Sequence, residues 1–447
     1  MQTATGAPPM GVRGLRTAYR AGALRPLTVV EDVLARIAGR GDDAVWISVT
    51  PADELRERAL ALESLDRELP LWGVPVAVKD NIDVAGLPTT AACPDFARLP
   101  DADAGAVRRL REAGAIVVGK TNLDQFATGL NGTRSPYGAP ESVFGGDLIS
   151  GGSSSGSAVA VAAGIVPVAL GTDTAGSGRV PAALNGIVGL KPTRGLVGAS
   201  GVVPACRSLD CVSVFTRDLG DAATVLDVLA GPDPDDPWSR SGTPLPVGLR
   251  LAVPAELDVD PGVGARFAEV VDRAAARADE VVGVDVGPLR EAGDLLYGGP
   301  WVAERLAVLE EFLAGPADVL PVTRAVIERG KDFSAVDAFR ARYRLQELRA
   351  WAARLFETAD VLLLPTVPTT FTRAELAEEP VARNLVLGRY TQFTNLLDLA
   401  AVAVPAGFTA DPDGTGGRPC GVTLFGPAFS ETRLLAAAAA LVPMEVR

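Results

Sequence analysis

The sequence predicts an α/β fold whose mostly parallel or mixed sheet is covered by helices on both faces. Three observations predict it. Short apolar runs, bounded by Gly or Pro, alternate along the chain with stretches of helical period. The 447 residues are 48% hydrophobic with mean hydropathy +0.22, ample for a large core. Gly 48 and Pro 34 make the chain loop-rich without low complexity, which excludes disorder as its main description.

The elements follow in order. Thr28-Val-Val-Glu31 reads as a capping box opening a helix through Val33, Leu34 and Ile37. Residues 52–69 read as a charged amphipathic helix. Residues 73–79 (GVPVAVK) read as a buried strand, with Pro75 at its start. A helix over 103–113 is stopped by Gly114, and Ala115–Gly119 is the next strand. Val166–Leu170 and Val361–Leu364 continue the alternation. Residues 145–205 are rich in Gly and Ser but dense in apolar positions, so they are not a linker. Residues 225–245 are rich in Pro and Asp and read as a surface loop. Residues 285–355 read as strongly helical. No internal repeat is found, and residues 1–447 are expected to form one domain with a helical excursion around 285–355.

Charge and composition exclude several function classes. The net charge is −13, and no run of Lys and Arg supplies the basic stripe that a nucleic acid or an anionic membrane requires. The N-terminal MQTATGAPPMGVRGLRTAYR has no apolar core, so no signal peptide is expected. The longest apolar stretch, Ala158–Leu170, is broken by Gly164 and Pro167 and falls short of the about 20 residues of a membrane span. A cytoplasmic protein is expected. Cys93, Cys206, Cys211 and Cys420 form no C-x-x-C pair and read as buried small hydrophobes in a reducing compartment; a redox pair of Cys206 with Cys211 is the sharper alternative.

The chain contains no histidine. That removes the Ser-His-Asp and Cys-His triads, together with the commonest metal ligand and general base. No metal or cofactor is expected. Any hydrolytic chemistry must take its base from Lys, Asp, Glu, Tyr or Cys. The lysines are Lys79, Lys120, Lys191 and Lys331. Lys79 closes an apolar strand, where burial would lower its pKa from about 10.4 towards neutrality. A solvated lysine at a strand end fits its position equally well.

A candidate nucleophile lies further on. Two serine-bearing Gly turns, GGSSSGS at 151–157 and GTDTAGSGR at 171–179, flank one helix–strand unit. Glycine permits positive φ and close approach, and a run such as Thr174–Ser177 can aim several amides into one concavity suited to an oxyanion. GGSSSGS alone favours a phosphate cradle or a plain flexible loop over a catalytic site. It is not a Walker A loop, because no Gly-Lys-Ser/Thr follows.

These segments resemble the amidase signature family of Ser-Ser-Lys amide hydrolases. The likeness runs through GVPVAVKDNID at 73–83, GGSSSGSAVAVAAG at 151–164, GTDTAGSGRVPAALNGIVGLKPTRG at 171–195 and LDLAAVAVPAGF at 397–408. It implies a single large mixed β-sheet core wrapped by helices. It implies Ser177 as nucleophile, Lys79 as base and Ser153 as the bridging serine, joined to Gly152 by a cis peptide bond. It also implies an oxyanion hole from the amides of Thr174, Ala175, Gly176 and Ser177, with Ala175 standing where the family more often has Gly.

Within the family the chain is most similar to allophanate hydrolases, through GGSSSGS, TDTAGSGRVPA, VVPACRSLDCVSVF at 202–215, DPDDPWSR at 233–240 and the segment Leu296–Arg305. This likeness implies that Tyr297 and Arg305 hold a substrate carboxylate. On composition alone Arg305 reads as a helix-surface residue paired with Glu304 or Glu310, and only the flanking motif reverses that reading. The implied substrate is a small urea-derived anion, split at its terminal amide to ammonia and N-carboxycarbamate. Such enzymes usually carry a further C-terminal domain, which is not expected here. That leaves room for a separate protein supplying its function, and for a homodimer. The alternatives are a guanylurea or aliphatic amidase, the amidase component of an amidotransferase, and an inactive scaffold. The cationic guanylurea is disfavoured by Arg305, the amidotransferase component by the missing Gly-Gly-Ser-Ile-Arg signature, and the scaffold by the intact Lys79, Ser153 and Ser177.

Overall fold

The computed structural model describes residues 11–410 and 417–442. Residues 1–10 of the segment read as lacking a signal peptide, and the last five residues of the chain, lie outside the described residues. The strands are β1 (Trp46–Val49), β2 (Pro75–Lys79), β3 (Ile116–Thr121), β4 (Val168–Thr172), β5 (Val188–Lys191), β6 (Val212–Thr216), β7 (Arg250–Pro254), β8 (Glu280–Val284), β9 (Val361–Pro365), β10 (Leu399–Phe408) and β11 (Pro419–Pro427). They form one mixed sheet in the order β1-β3-β2-β4-β6-β5-β10-β11-β9-β7-β8. Parallel pairs β3/β2/β4 and β9/β7/β8 flank a central antiparallel block from β4 to β9.

Side-chain alternation divides the core between the two faces. Val76 and Val78 of β2, Val168 and Leu170 of β4, and Val402 and Val404 of β10 join one apolar cluster with the helices Val12–Arg20, Leu219–Leu229, Pro261–Ala275 and Glu431–Leu441. Ala77, Ala169 and Ala403, one residue out of step, face the helix Ser155–Ala162 on the other side. That helix is buried over nearly its whole length. Its small residues permit this: a Cβ at Gly156 would stand 2.3 Å from the Val45 carbonyl and 2.6 Å from the Asn122 amide. Helices Gly287–Tyr297 and Ala335–Thr358 cover the same face further along. Among the described residues no helix is long and apolar enough to cross a membrane.

Most expected elements are present, with shifts that have local causes. The first capping box is not used: the helix starts at Pro26, whose fixed φ suits the first helical position, and runs to Arg40. The helix expected over 52–69 ends at Ala61 and tightens into a 3₁₀ turn over Leu62–Ser64. The loop expected from 225 begins five residues later. Asp218 caps the Asp221 amide and starts a helix that runs to Leu229, ahead of Pro232. Residues 287–358 carry four helices, Gly287–Tyr297, Trp301–Leu313, Pro321–Glu328 and Ala335–Thr358.

Candidate active site

The site lies at the carboxyl ends of the adjacent parallel strands β2 and β4, where ligands bind in open α/β sheets. Lys79 is the last residue of β2 and is fully buried. Its Nζ donates to Ser153 Oγ at 2.7 Å and to Thr172 Oγ1 at 2.7 Å. Both partners are neutral. Burial lowers the Lys79 pKa from 10.5 to about 7, against the upward pull of Asp124, Asp210 and Asp173, and Arg305 pushes it the same way as burial. Lys79 is therefore a lysine that can be neutral near pH 7, and the solvated strand-end alternative is excluded.

Ser153 precedes the buried helix Ser155–Ala162, and the Gly152–Ser153 peptide is cis, as the resemblance implied. The Ser153 carbonyl accepts the Asp124 amide at 3.0 Å. Its neighbours are committed elsewhere. Ser154 donates to the Thr172 carbonyl, Ser155 to that of Asn122 and Ser157 to that of Leu170. Ser177 differs: it is buried, and its hydroxyl makes no hydrogen bond to protein among the described residues.

The turn that carries Ser177 is clamped from behind. Asp173 and Arg179 form a fully buried, two-pronged ion pair, with Nε–Oδ2 and Nη2–Oδ1 both at 2.9 Å. Burial alone would raise the Asp173 pKa, but Arg179 holds it below the usual carboxylate range. Arg179 also reaches Thr394 and the Thr391 carbonyl, while Thr391 donates to the Ala175 carbonyl at 2.7 Å. Gly176 has φ +131°, and a Cβ there would stand 2.3 Å from Thr391 Oγ1, so only glycine fits. Asp173→Asn would leave Arg179 buried and unpaired. A loss of about 3–5 kcal/mol in unfolding free energy is expected by denaturant titration.

The expected oxyanion hole needs one correction. The Gly176 amide donates to Asp173 Oδ1 at 2.8 Å, because the clamp requires it, and is not free to meet an oxyanion. The amides of Thr174, Ala175 and Ser177 make no hydrogen bond to protein among the described residues. Thr174 Oγ1 donates to Asp210 at 2.5 Å, and Asp210 in turn collects the amides of Ala205 and Cys206.

Arg305 is 1% exposed, which excludes a helix-surface pair with Glu304 or Glu310. Its guanidinium lies 5.0 Å from the Tyr297 ring centroid and donates to Tyr297 Oη at 3.2 Å and Thr128 Oγ1 at 3.1 Å. Glu304 instead accepts from Ser208. Tyr297 and Arg305 are thus brought together, and the Arg305 charge disfavours the charged form of Lys79. The cysteine alternative also falls. All four are free and buried; Cys206 Sγ contacts the Trp301 carbonyl, whereas Cys211 accepts from Lys191. Among the described residues no group of three or more Cys, Asp or Glu side chains is arranged to hold a metal.

Sequence reasoning missed Thr172, Asp124, Asp173, Arg179 and Asp210. The Asp173–Arg179 pair left a legible trace, opposite charges bracketing the Gly-Ser turn. The others had none, because their roles depend on strand neighbours or distant loops.

The comparisons with known proteins agree with this geometry. The family described as Amidase matches residues 28–435. Urea amidolyase of Saccharomyces cerevisiae is 48% identical over 409 residues, 88% of this chain and 22% of that protein. The chain thus spans about a fifth of that relative. The 2-amino-5-chloromuconic acid deaminase of Comamonas testosteroni is 37% identical over 380 residues, 82% of this chain and 80% of that protein. The solved structure of selenomethionine-substituted Kluyveromyces lactis allophanate hydrolase superposes with TM-score 0.91 at 42% identity, over 98% of this chain and 74% of that one. With its sheet, its lysine–serine contact and its clamped serine turn, the chain belongs to the amidase signature family.

Proposed function

We propose that this chain hydrolyses allophanate, a urea bearing an N-carboxylate, at its terminal amide. The observation that carries the reading is the buried Arg305–Tyr297 pair, whose guanidinium acts electrostatically on Lys79, a buried cation in a protein of net charge −13. Arginine suits this task because its planar fork pairs a carboxylate bidentately. The likeness to the K. lactis allophanate hydrolase supports the same substrate. Residues 1–447 act as one amidase domain, with the helices of 285–355 as an excursion that brings Tyr297 and Arg305. The four free cysteines support a reducing, cytoplasmic setting. The oligomer proposed is a homodimer, and a separate protein would take up the product.

The mechanism starts with Lys79 neutral. Ser177 gives its proton to Ser153 as Ser153 gives its own to Lys79, and Ser177 Oγ attacks the terminal amide carbon. The free amides of Thr174, Ala175 and Ser177 receive the oxyanion. The proton returns through Ser153 to the departing nitrogen, releasing ammonia and leaving an ester on Ser177. Water, deprotonated by the same relay, cleaves that ester to N-carboxycarbamate.

Ammonia release from allophanate, compared with urea, biuret and guanylurea, tests the substrate. Arg305→Gln tests the residue. Removing one partner of a buried charged contact costs about 2–5 kcal/mol, so kcat/KM for allophanate should fall roughly 30-fold or more. A neutral amide of similar size should lose little. Equal losses on both would make Arg305 structural and withdraw the carboxylate assignment.

A further inference from the structure

A second guanidinium stands on the other side of Thr128. Arg134 is 4% exposed, and its Nη1 donates to the Thr128 carbonyl at 2.9 Å while Arg305 Nη1 donates to the Thr128 hydroxyl at 3.1 Å. The remaining partners of both arginines are neutral: the Pro380 carbonyl for Arg134 at 2.7 Å and Tyr297 Oη for Arg305. Among the described residues neither forms an ion pair, and Nε of each is buried without a hydrogen-bond partner. The acids nearby are engaged. Asp124 accepts the amides of Asn131, Gly132 and Arg134, and Glu304 holds Ser208.

Two buried positive charges thus meet at one threonine and repel each other; Asp124 acts on Arg134, and Asp210 and Glu304 on Arg305, but among the described residues none forms a direct ion pair with either guanidinium. Arginine cannot relieve this by losing its proton. A purely structural staple between residues 128 and 380 would not need a charge, since both of its acceptors are neutral carbonyls. An anion entering the Arg305 side would give that guanidinium the direct charged partner that Asp210 and Glu304 do not provide.

We infer that Arg134 is a positioning residue for carboxylate selection: it fixes Thr128, through which Arg305 is aimed, and adds a second positive charge behind the substrate carboxylate. The inference rests on the proposed allophanate reading and assigns Arg134 a share of its specificity. Arg134 does not touch the substrate. Its effect should appear in KM for an anionic substrate and depend on Arg305.

The test compares allophanate with biuret, the same skeleton ending in a neutral amide. In Arg134→Met the ratio of kcat/KM values, allophanate over biuret, should fall about tenfold, through KM, as expected of one unit charge at intermediate dielectric. Arg134→Lys, which keeps the charge, should stay within about threefold of the wild-type ratio, a difference of less than 1 kcal/mol. In the Arg305→Gln background, Arg134→Met should change the ratio less than about twofold, because the residues act as a unit. A fall in kcat/KM that is equal for both substrates in Arg134→Met overturns the inference and leaves the allophanate reading intact. A wild-type enzyme that turns over biuret but not allophanate overturns both. If Arg134→Met unfolds, Thr128→Val, which removes the hydroxyl that meets Arg305, must lower the same ratio; an unchanged ratio there overturns the inference.

Discussion

Replacing Ser177 with alanine is expected to abolish the proposed allophanate turnover and acyl-enzyme formation, a loss on the order of 10⁴-fold or more. The geometry makes the expectation specific. Of the serines on the two Gly turns, Ser153 is bound to Lys79, while Ser154, Ser155 and Ser157 donate to backbone carbonyls. Ser177 alone among them keeps an uncommitted hydroxyl, on a turn whose shape is set by the Asp173–Arg179 clamp and by Gly176. Removing one oxygen that bonds nothing leaves the clamp in place, so the variant should fold with a melting temperature close to wild type. A fluorophosphonate probe should label the wild-type protein at Ser177 and leave the variant unlabelled. Equal labelling of the two proteins would move the nucleophile elsewhere.

The contrast between Ser177 and its neighbours marks what the sequence could and could not reveal. Local signals were readable where local physics decides. Pro75 opens β2, Gly114 with φ +93° ends a helix, and the apolar run before Lys79 is a strand buried on both faces. Signals failed where two local rules competed, as at Pro26 and Thr28, and Pro at the first helical position prevailed over a capping box two residues later. Strand order was not legible at all. β5 and β10 pair across some 200 residues of chain, and nothing in either strand's pattern names the other. The same limit holds in the site. Lys79, Ser153 and Ser177 could be proposed from the sequence because their motifs are long. Thr128 and Arg134 lie in a loop whose meaning appears only when the helix carrying Arg305 packs against it.

Lys79→Ala should be as damaging as Ser177→Ala, since a chain without histidine offers no second base at this place. The wild-type kcat/KM should rise with pH through a value near 7, the pKa to which burial brings Lys79 from 10.5. The same depression has a consequence for stability, of determined sign. Between about pH 7 and 10.5 the unfolded chain holds a proton on Lys79 that the folded chain does not, so folding becomes more favourable as pH rises through that window. The penalty is fully present below about pH 7 and amounts to about 5 kcal/mol in all, the free-energy equivalent of a pKa falling from 10.5 to about 7. Lys79→Met, which keeps the apolar stem and removes the titrating group, lacks this contribution. Denaturant titrations at about pH 6, 8 and 10 should therefore show wild type gaining on Lys79→Met as pH increases. Activity and stability pull in opposite directions on one buried group: the desolvation that makes Lys79 a usable base near neutrality is also what weakens the fold at low pH. A Lys79→Ala enzyme retaining near wild-type kcat at about pH 7, or a wild-type rate rising only above about pH 9, would remove Lys79 from the relay; parallel stability curves would show that its pKa is not lowered in the folded protein.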